Sequence, residues 1–322
     1  MEHTIERVPV ATLVSGFELA LTIHTYRGGA GPTVGLSASI HGDEPISTEV
    51  LRRLAHHLET SGEEVRGTVR LLPVANPLAY ETRTRNTMLD ATNLNRVFPG
   101  DPEGWLTEKL AAKIVESFLT GIDDYVDLHS GGDYPVVDYV YLNNSPELSR
   151  AFGSKLLYHP AHPYVGTTAG VTQERGIPSV TIELGGGLFA EEHYAQRTLD
   201  GVLNILRTVG VLAGTPRPAP EQILMHDLAV MRPHQGGILV PAVRVPVAGA
   251  GPRRRDDHLD PLGERRNGGH EVRPRDDAHL SQPGELALDL VDGPAEDLRL
   301  DRLRVEDRRL GRLRGQRERD DA

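Results

Sequence analysis

Over residues 1–215 the hydrophobic pattern switches repeatedly between strand-like runs and helical stripes. Thr33 to Ile40 (TVGLSASI) is a short run of small and β-branched residues ending at a Gly-Asp turn, which predicts a buried strand. From Ile46 to Leu58 the apolar residues fall at Ile46, Val50, Leu51, Leu54 and Leu58, which is helical spacing. Val69 to Val74 predicts a second strand, stopped by Asn76-Pro77. Trp105 to Leu119 predicts a helix with Leu106, Leu110, Ile114 and Phe118 on one stripe. Tyr125 to Leu128 predicts a strand that runs directly into His129. Pro178 to Leu184 predicts another, entered after Gly176 and ended by Gly185-Gly186-Gly187, and Tyr194 to Val211 predicts a third long helix. Strands alternating with helices point to an α/β sheet covered on both faces. In open sheets of that kind ligands gather beyond the carboxyl ends of the strands, where three of the reactive side chains discussed below are expected.

Residues 251–322 have a different character. They hold 16 Arg and no Lys, 18 acidic residues, 11 Leu, 3 Val, and no Ile, Met or aromatic residue. Leu, Ile, Val and Phe together stay below the roughly 20% at which a packed core becomes doubtful. Leu298 to Leu313 can form a charged helix, but the composition predicts poor order for the segment.

Charge and composition then remove whole classes of function. Against 46 acidic residues stand 35 Lys and Arg, a formal net charge of −11, which is a poor footprint for a nucleic-acid binder. No apolar run approaches the ~18–20 residues of a membrane span, so no membrane role is expected. Met1 to Val10 carries Glu2 and Glu6 and no apolar stretch, unlike a secretory signal, and the expected location is the cytoplasm. Cysteine is absent, so a metal must be held by His, Asp and Glu.

Three segments carry candidate chemistry. In Ser37-Ala-Ser-Ile-His41-Gly-Asp-Glu44, a His and a Glu three apart just after a strand can turn toward one point, as zinc ligands at ~2.0–2.2 Å do. His129, at the end of another strand in Asp127-Leu-His129-Ser-Gly-Gly, offers a third ligand. Two His and one Glu leave a fourth position for water, the arrangement of a catalytic site. HxxE alone also fits a polar solvated loop; the second strand-end His and the lack of cysteine favour the metal. Next, Asp90-Ala-Thr-Asn93-Leu-Asn95-Arg96-Val-Phe-Pro-Gly100 follows Arg83 and Arg85. An Arg fork beside an Asn amide suits bidentate capture of a carboxylate, and a separate Arg near a metal suits a developing oxyanion. A structural loop with Asn capping the backbone and Arg paired to Asp90 fits the same residues. Last, Glu183 lies inside the apolar strand Thr181-Ile-Glu183-Leu-Gly-Gly-Gly187. A carboxyl there needs a partner: either a metal-bound water, with a raised pKa suited to moving a proton, or a core Arg.

Taken in order, GxHGDE, NP, NLNRxFPG, DLHSGG and IELGGG resemble the succinylglutamate desuccinylase/aspartoacylase family, a branch of the zinc-carboxypeptidase-like hydrolases, over roughly residues 20–245. The resemblance implies an α/β fold with a mixed, mostly parallel sheet flanked by helices, followed by a smaller β-rich domain. It implies one zinc ion per chain, held by His41, Glu44 and His129, with Glu183 as general base. It implies that Asn95 and Arg96 hold a substrate carboxylate, and that an upstream Arg assists at the scissile carbonyl, Arg85 being favoured over Arg83. The implied activity is hydrolysis of the amide bond of an N-acyl amino acid or related small acylated amine. The alternatives are a metallocarboxypeptidase acting on peptides and a catalytically impaired zinc-binding product. The expected domains are a zinc-hydrolase α/β domain at 1–215, the start of the β-rich domain at 216–250, and the Arg/Asp-rich tail at 251–322. Resemblance stops near Val245, and the family's substrate-contacting Tyr of the later domain has no counterpart after Tyr194. A reading-frame change that replaced the native end accounts for both, leaving the C-terminal domain incomplete or aberrant.

Overall fold

The computed structural model describes residues 1–132, 136–162, 164–186 and 192–228. In chain order the first half contains β1 (Glu2–Thr12), β2 (Glu18–Arg27), β3 (Thr33–Ala38), α1 (Pro45–Thr60), β4 (Thr68–Leu72), α2 (Pro77–Thr82) and α3 (Leu106–Ile114), which continues into a π-helical turn at Val115–Leu119. The second half contains β5 (Asp124–His129), β6 (Val137–Tyr141), α4 (Pro146–Ala151), β7 (Leu156–Tyr158), α5 (Thr168–Glu174), β8 (Ser179–Gly185), α6 (Glu192–Thr208) and β9 (Ile223–Met225).

These strands form one sheet in the order β1-β2-β4-β3-β5-β8-β6-β7-β9. The run β4-β3-β5-β8 is parallel, as are β6-β7 and β7-β9; β1-β2, β2-β4 and β6-β8 are antiparallel. The sheet is therefore mixed and mostly parallel, flanked by helices, as the family resemblance implies. The β1–β2 hairpin goes beyond that expectation. In β1 only Val8 is buried, so its pleat leaves almost no apolar alternation to detect. At Asn76-Pro77 the strand does stop, but the pair also opens α2: the Asn76 side chain accepts from the Ala79 N–H, and Pro77 fills the first helical position, where a missing N–H costs nothing.

The pleat sorts the central strands into two chemistries. Val34, Leu36 and Ala38 of β3, Val126 and Leu128 of β5, and Val180, Ile182 and Leu184 of β8 enter one core with α1, α4 and α6. The intervening residues point to the other face, where α3 and its π turn pack with Val171 of α5. On that second face stand Ser37, Asp127, His129, Thr181 and Glu183, with Ser37, His129 and Glu183 near the carboxyl ends of their strands. The apolar face anchors the sheet, and the opposite face is free to carry polar groups.

β9 extends the sheet as a parallel neighbour of β7. The rest of the expected β-rich region after residue 228, the tail and the proposed frame change lie outside the described residues. Among the described residues no helix is long and apolar enough to cross a membrane.

Candidate active site

The loop between β3 and α1 presents His41 and Glu44. Ser39 adopts a left-handed conformation (φ 52°) and turns the chain out of the strand. Gly42 then passes so close to α2 that a Cβ there would lie 1.9 Å from the Ala79 carbonyl oxygen, while its N–H donates to the Thr84 carbonyl at 2.9 Å. Only glycine fits between His41 and Asp43 on those terms. Glu44 directly precedes the helix begun by Pro45, and its carbonyl accepts from the Ser47 hydroxyl at 2.6 Å. Backbone packing thus fixes both ends of the HxxE spacing.

His41, Glu44 and His129 converge. They are 2%, 1% and 4% exposed, and each offers a ligand atom within 4.8 Å of the others. Nδ1 of His41 lies 2.8 Å from Oε1 of Glu44, and Nδ1 of His129 lies 2.9 Å from Oε2 of the same carboxylate. On the far side of each ring an oxygen waits: Asn93 Oδ1 is 3.2 Å from His41 Nε2, and Asp127 Oδ2 is 3.1 Å from His129 Nε2. Asn93 Oδ1 also accepts from the Asn95 N–H at 2.9 Å, which is consistent with an oxygen at that position.

This arrangement fits a divalent cation. A neutral imidazole carries one proton, and the two outer oxygens draw it to Nε2. The bare Nδ1 lone pairs then face an acceptor-only carboxylate and repel it unless positive charge lies between them. The alternative, two imidazolium rings with centroids 5.1 Å apart, sets like charges together. Two imidazole nitrogens and one carboxylate, in a chain without cysteine, form a donor set suited to zinc.

Charge coupling follows the same geometry. Burial opposes ionisation of Glu44, but the neighbouring charges of His129 and His41 prevail and hold its carboxyl below the usual range. Burial likewise opposes a charged His129, yet Asp127 and Glu44 raise its pKa well above that of a free imidazole. Glu183 is the register partner of His129 on the adjoining strand, and desolvation pushes its carboxyl up to about 8 against the pull of His129.

A cleft of about 180 Å³ opens over this cluster, lined in part by His41, His129, Glu183, Arg85, Asn95 and Arg96. All seven candidate residues except Glu44, which lies beneath as the carboxylate between the rings, reach its wall. Arg85 Nη1 is 3.4 Å from Glu44 Oε1. Arg83 is exposed, closes α2 in a left-handed conformation and is not part of that wall. Asn95 and Arg96 occupy a 3-10 turn, Leu94–Arg96; Asn95 Oδ1 accepts from the Thr168 N–H at 3.1 Å, leaving its amide NH2 as donor.

Residues 30–209 match the family model for the succinylglutamate desuccinylase/aspartoacylase catalytic domain. The chain belongs to this family. It is 28% identical over 242 residues to the N-alpha-acetyl-L-2,4-diaminobutyric acid deacetylase of Halomonas elongata, covering 71% of this chain and 70% of that protein. Among solved structures it resembles a succinylglutamate desuccinylase/aspartoacylase from Rhodobacter sphaeroides, with a TM-score of 0.61, 28% identity, and coverage of 70% of this chain and 73% of the other. The product-bound ectoine utilization protein of Ruegeria pomeroyi also scores 0.61, at 26% identity, over 70% of this chain and 72% of its own.

Beyond the expected residues, the cleft and its supporting contacts include Asn93, Asp127, Thr168, Tyr141 and Tyr164. Asp127 was detectable, since a carboxylate two positions before a strand-end His must share its face. Thr168 was not, because nothing local ties it to a strand 41 residues earlier.

The raised pKa of His129 gives a measurable consequence. A cation needs the Nδ1 lone pair, so it competes with a proton for that nitrogen, and the neighbouring carboxylates favour the protonated ring while no cation is bound. Zinc uptake by the cation-free chain is expected to release protons at pH 7, with affinity rising as pH rises. A zinc titration in weakly buffered indicator solution checks this; uptake without acidification would contradict it.

Proposed function

We propose that the chain is a zinc-dependent hydrolase that cleaves the amide bond of an N-acyl amino acid or related small acylated amine. The observation that carries the reading is the pair of Nδ1 atoms turned onto one carboxylate, with both Nε2 atoms anchored to oxygens. The Halomonas elongata relative, by its name a deacetylase of an acetylated diamino acid, supports this substrate class. A small molecule, rather than nucleic acid or membrane, is the partner, and the cytoplasm is the setting.

His41, Glu44 and His129 would hold the zinc ion, which supplies Lewis-acid polarisation of the scissile carbonyl and acidifies a water. Glu183 takes a proton from the attacking water and returns one to the leaving nitrogen, a task suited to a carboxyl that desolvation lifts toward neutrality. Arg85 donates to the carbonyl oxygen as negative charge grows on it. Arg96 and the Asn95 amide bind the substrate carboxylate and so orient the amide over Glu183.

The test is a panel of N-acetyl, N-succinyl and N-formyl amino acids beside dipeptides, assayed on the zinc-reconstituted full chain. N-acyl amino acids are expected to be hydrolysed. Arg96→Ala is expected to raise KM by about 10–100-fold, the value of a charge-assisted hydrogen bond, with a smaller change in kcat. A preference for dipeptides would favour a peptidase, and stoichiometric zinc without turnover on any substrate would sink the proposal.

A further inference from the structure

The close polar contacts around the site form a ring. From Glu44 they run through His129 Nδ1 and across that ring to Nε2, then to Asp127 Oδ2. The same oxygen accepts from the Thr168 hydroxyl, and the Thr168 N–H donates to Asn95 Oδ1 at 3.1 Å. The Asn95 N–H donates to Asn93 Oδ1, which faces His41 Nε2, and His41 Nδ1 returns to Glu44. Thr168 is 1% exposed and sits where α5 begins. The loop leading to it is pressed onto the Asn95 turn: the Phe98 N–H donates to the Gly166 carbonyl at 3.0 Å, and a Cβ on Gly166 would lie 2.2 Å from the Arg96 carbonyl oxygen. Asp127 is held from its other oxygen by the Ser37 hydroxyl at 2.8 Å.

We propose that Thr168 is a positioning residue for both halves of the site: its hydroxyl fixes Asp127 and through it the His129 ring, while its backbone N–H fixes Asn95. Metal and substrate carboxylate are thereby held in one register, so a single threonine sets zinc affinity and KM together. The KM half rests on the carboxylate-binding reading above; the zinc half does not. Its physical basis is that a buried carboxylate losing one donor no longer holds its imidazole in a fixed orientation, and partners of this kind are worth about 10–100-fold in metal affinity.

The experiment compares Thr168→Val, Thr168→Ser and Thr168→Pro in the full chain. Zinc affinity is read by chelator competition on the cation-free protein, without substrate, and KM and kcat are read on the N-acyl substrate that is turned over best. Thr168→Val is expected to weaken zinc by about 10–100-fold, with Thr168→Ser restoring it; Thr168→Pro, which also removes the backbone N–H at the first helical position, where proline is tolerated, is expected to raise KM above that of the valine variant. In an Asp127→Asn background the valine is expected to weaken zinc no further, because its path to His129 is already cut. If the valine variant does not fold, Thr168→Ala serves the same comparisons. Parental zinc affinity in a folded variant, an additive loss in the double variant, or a KM in folded Thr168→Pro no higher than in Thr168→Val would each overturn the proposal. Absence of turnover on every substrate would instead count against the proposed function, leaving the zinc comparison to judge Thr168.

Discussion

Replacing Glu183 by glutamine is expected to lower kcat by about 10²–10⁴-fold, the range for removing a positioned general base, while leaving bound zinc at parental stoichiometry. The amide keeps the volume and one acceptor oxygen of the carboxylate but takes no proton from water. Glu183 is not among the residues that converge as a candidate metal cluster, so the proposed ligand set is untouched. The variant has a second signature. A carboxyl lifted in the folded chain to about 8 binds a proton more tightly there than when unfolded, so it costs stability as pH rises from its unfolded value through 8. Glutamine removes that cost, and the cation-free Glu183→Gln protein is expected to melt no lower than the parent at pH 5 and higher at pH 8. Thermal melts at the two pH values, run beside the activity assay, separate loss of chemistry from loss of fold. Parental turnover in this variant would contradict the role of Glu183.

Replacing His41 by alanine is expected to lose the metal and, with it, the activity. Among the described residues His41 supplies one of the two imidazole nitrogens on the cluster, and its loss should exceed the roughly 10–100-fold effect of an outer partner. It also frees Asn93 Oδ1 from its ring contact and leaves Glu44 facing a single histidine. Metal analysis after dialysis at matched free zinc gives the readout. The two substitutions should therefore dissociate: Glu183→Gln holds zinc without turnover, and His41→Ala has neither. Zinc retained at parental affinity by His41→Ala would remove His41 from the ligand set.

Much of the candidate site was legible because its residues stand where a sequence pattern is least ambiguous. His129 ends a strand whose apolar residues, Val126 and Leu128, alternate with Tyr125 and Asp127, so its face is set by the pleat. Glu183 follows by the same alternation between Ile182 and Leu184, and the parallel register sets it opposite His129. The spacing of His41 and Glu44 is local, and the helix start at Pro45 fixes it. What escaped was non-local. Asn93 reaches His41, and Thr168 reaches the Asp127 that faces His129, from segments whose place depends on backbone contact at Gly166, and no spacing encodes that. Arg83 and Arg85 are alike in sequence; the left-handed end of α2 separates them. The β1 strand is nearly all exposed and carries no hydrophobic period, so the hairpin edge of the sheet was invisible.

X-ray absorption at the zinc edge, on the full chain loaded with one equivalent of zinc, probes the ligand cluster itself. Two imidazole nitrogens at ~2.0–2.1 Å and carboxylate oxygen at ~2.0–2.2 Å are expected, with the imidazole signal reduced when His41 or His129 is replaced by alanine. A zinc shell without imidazole, or one unchanged by both replacements, would show that His41, Glu44 and His129 are not the metal site.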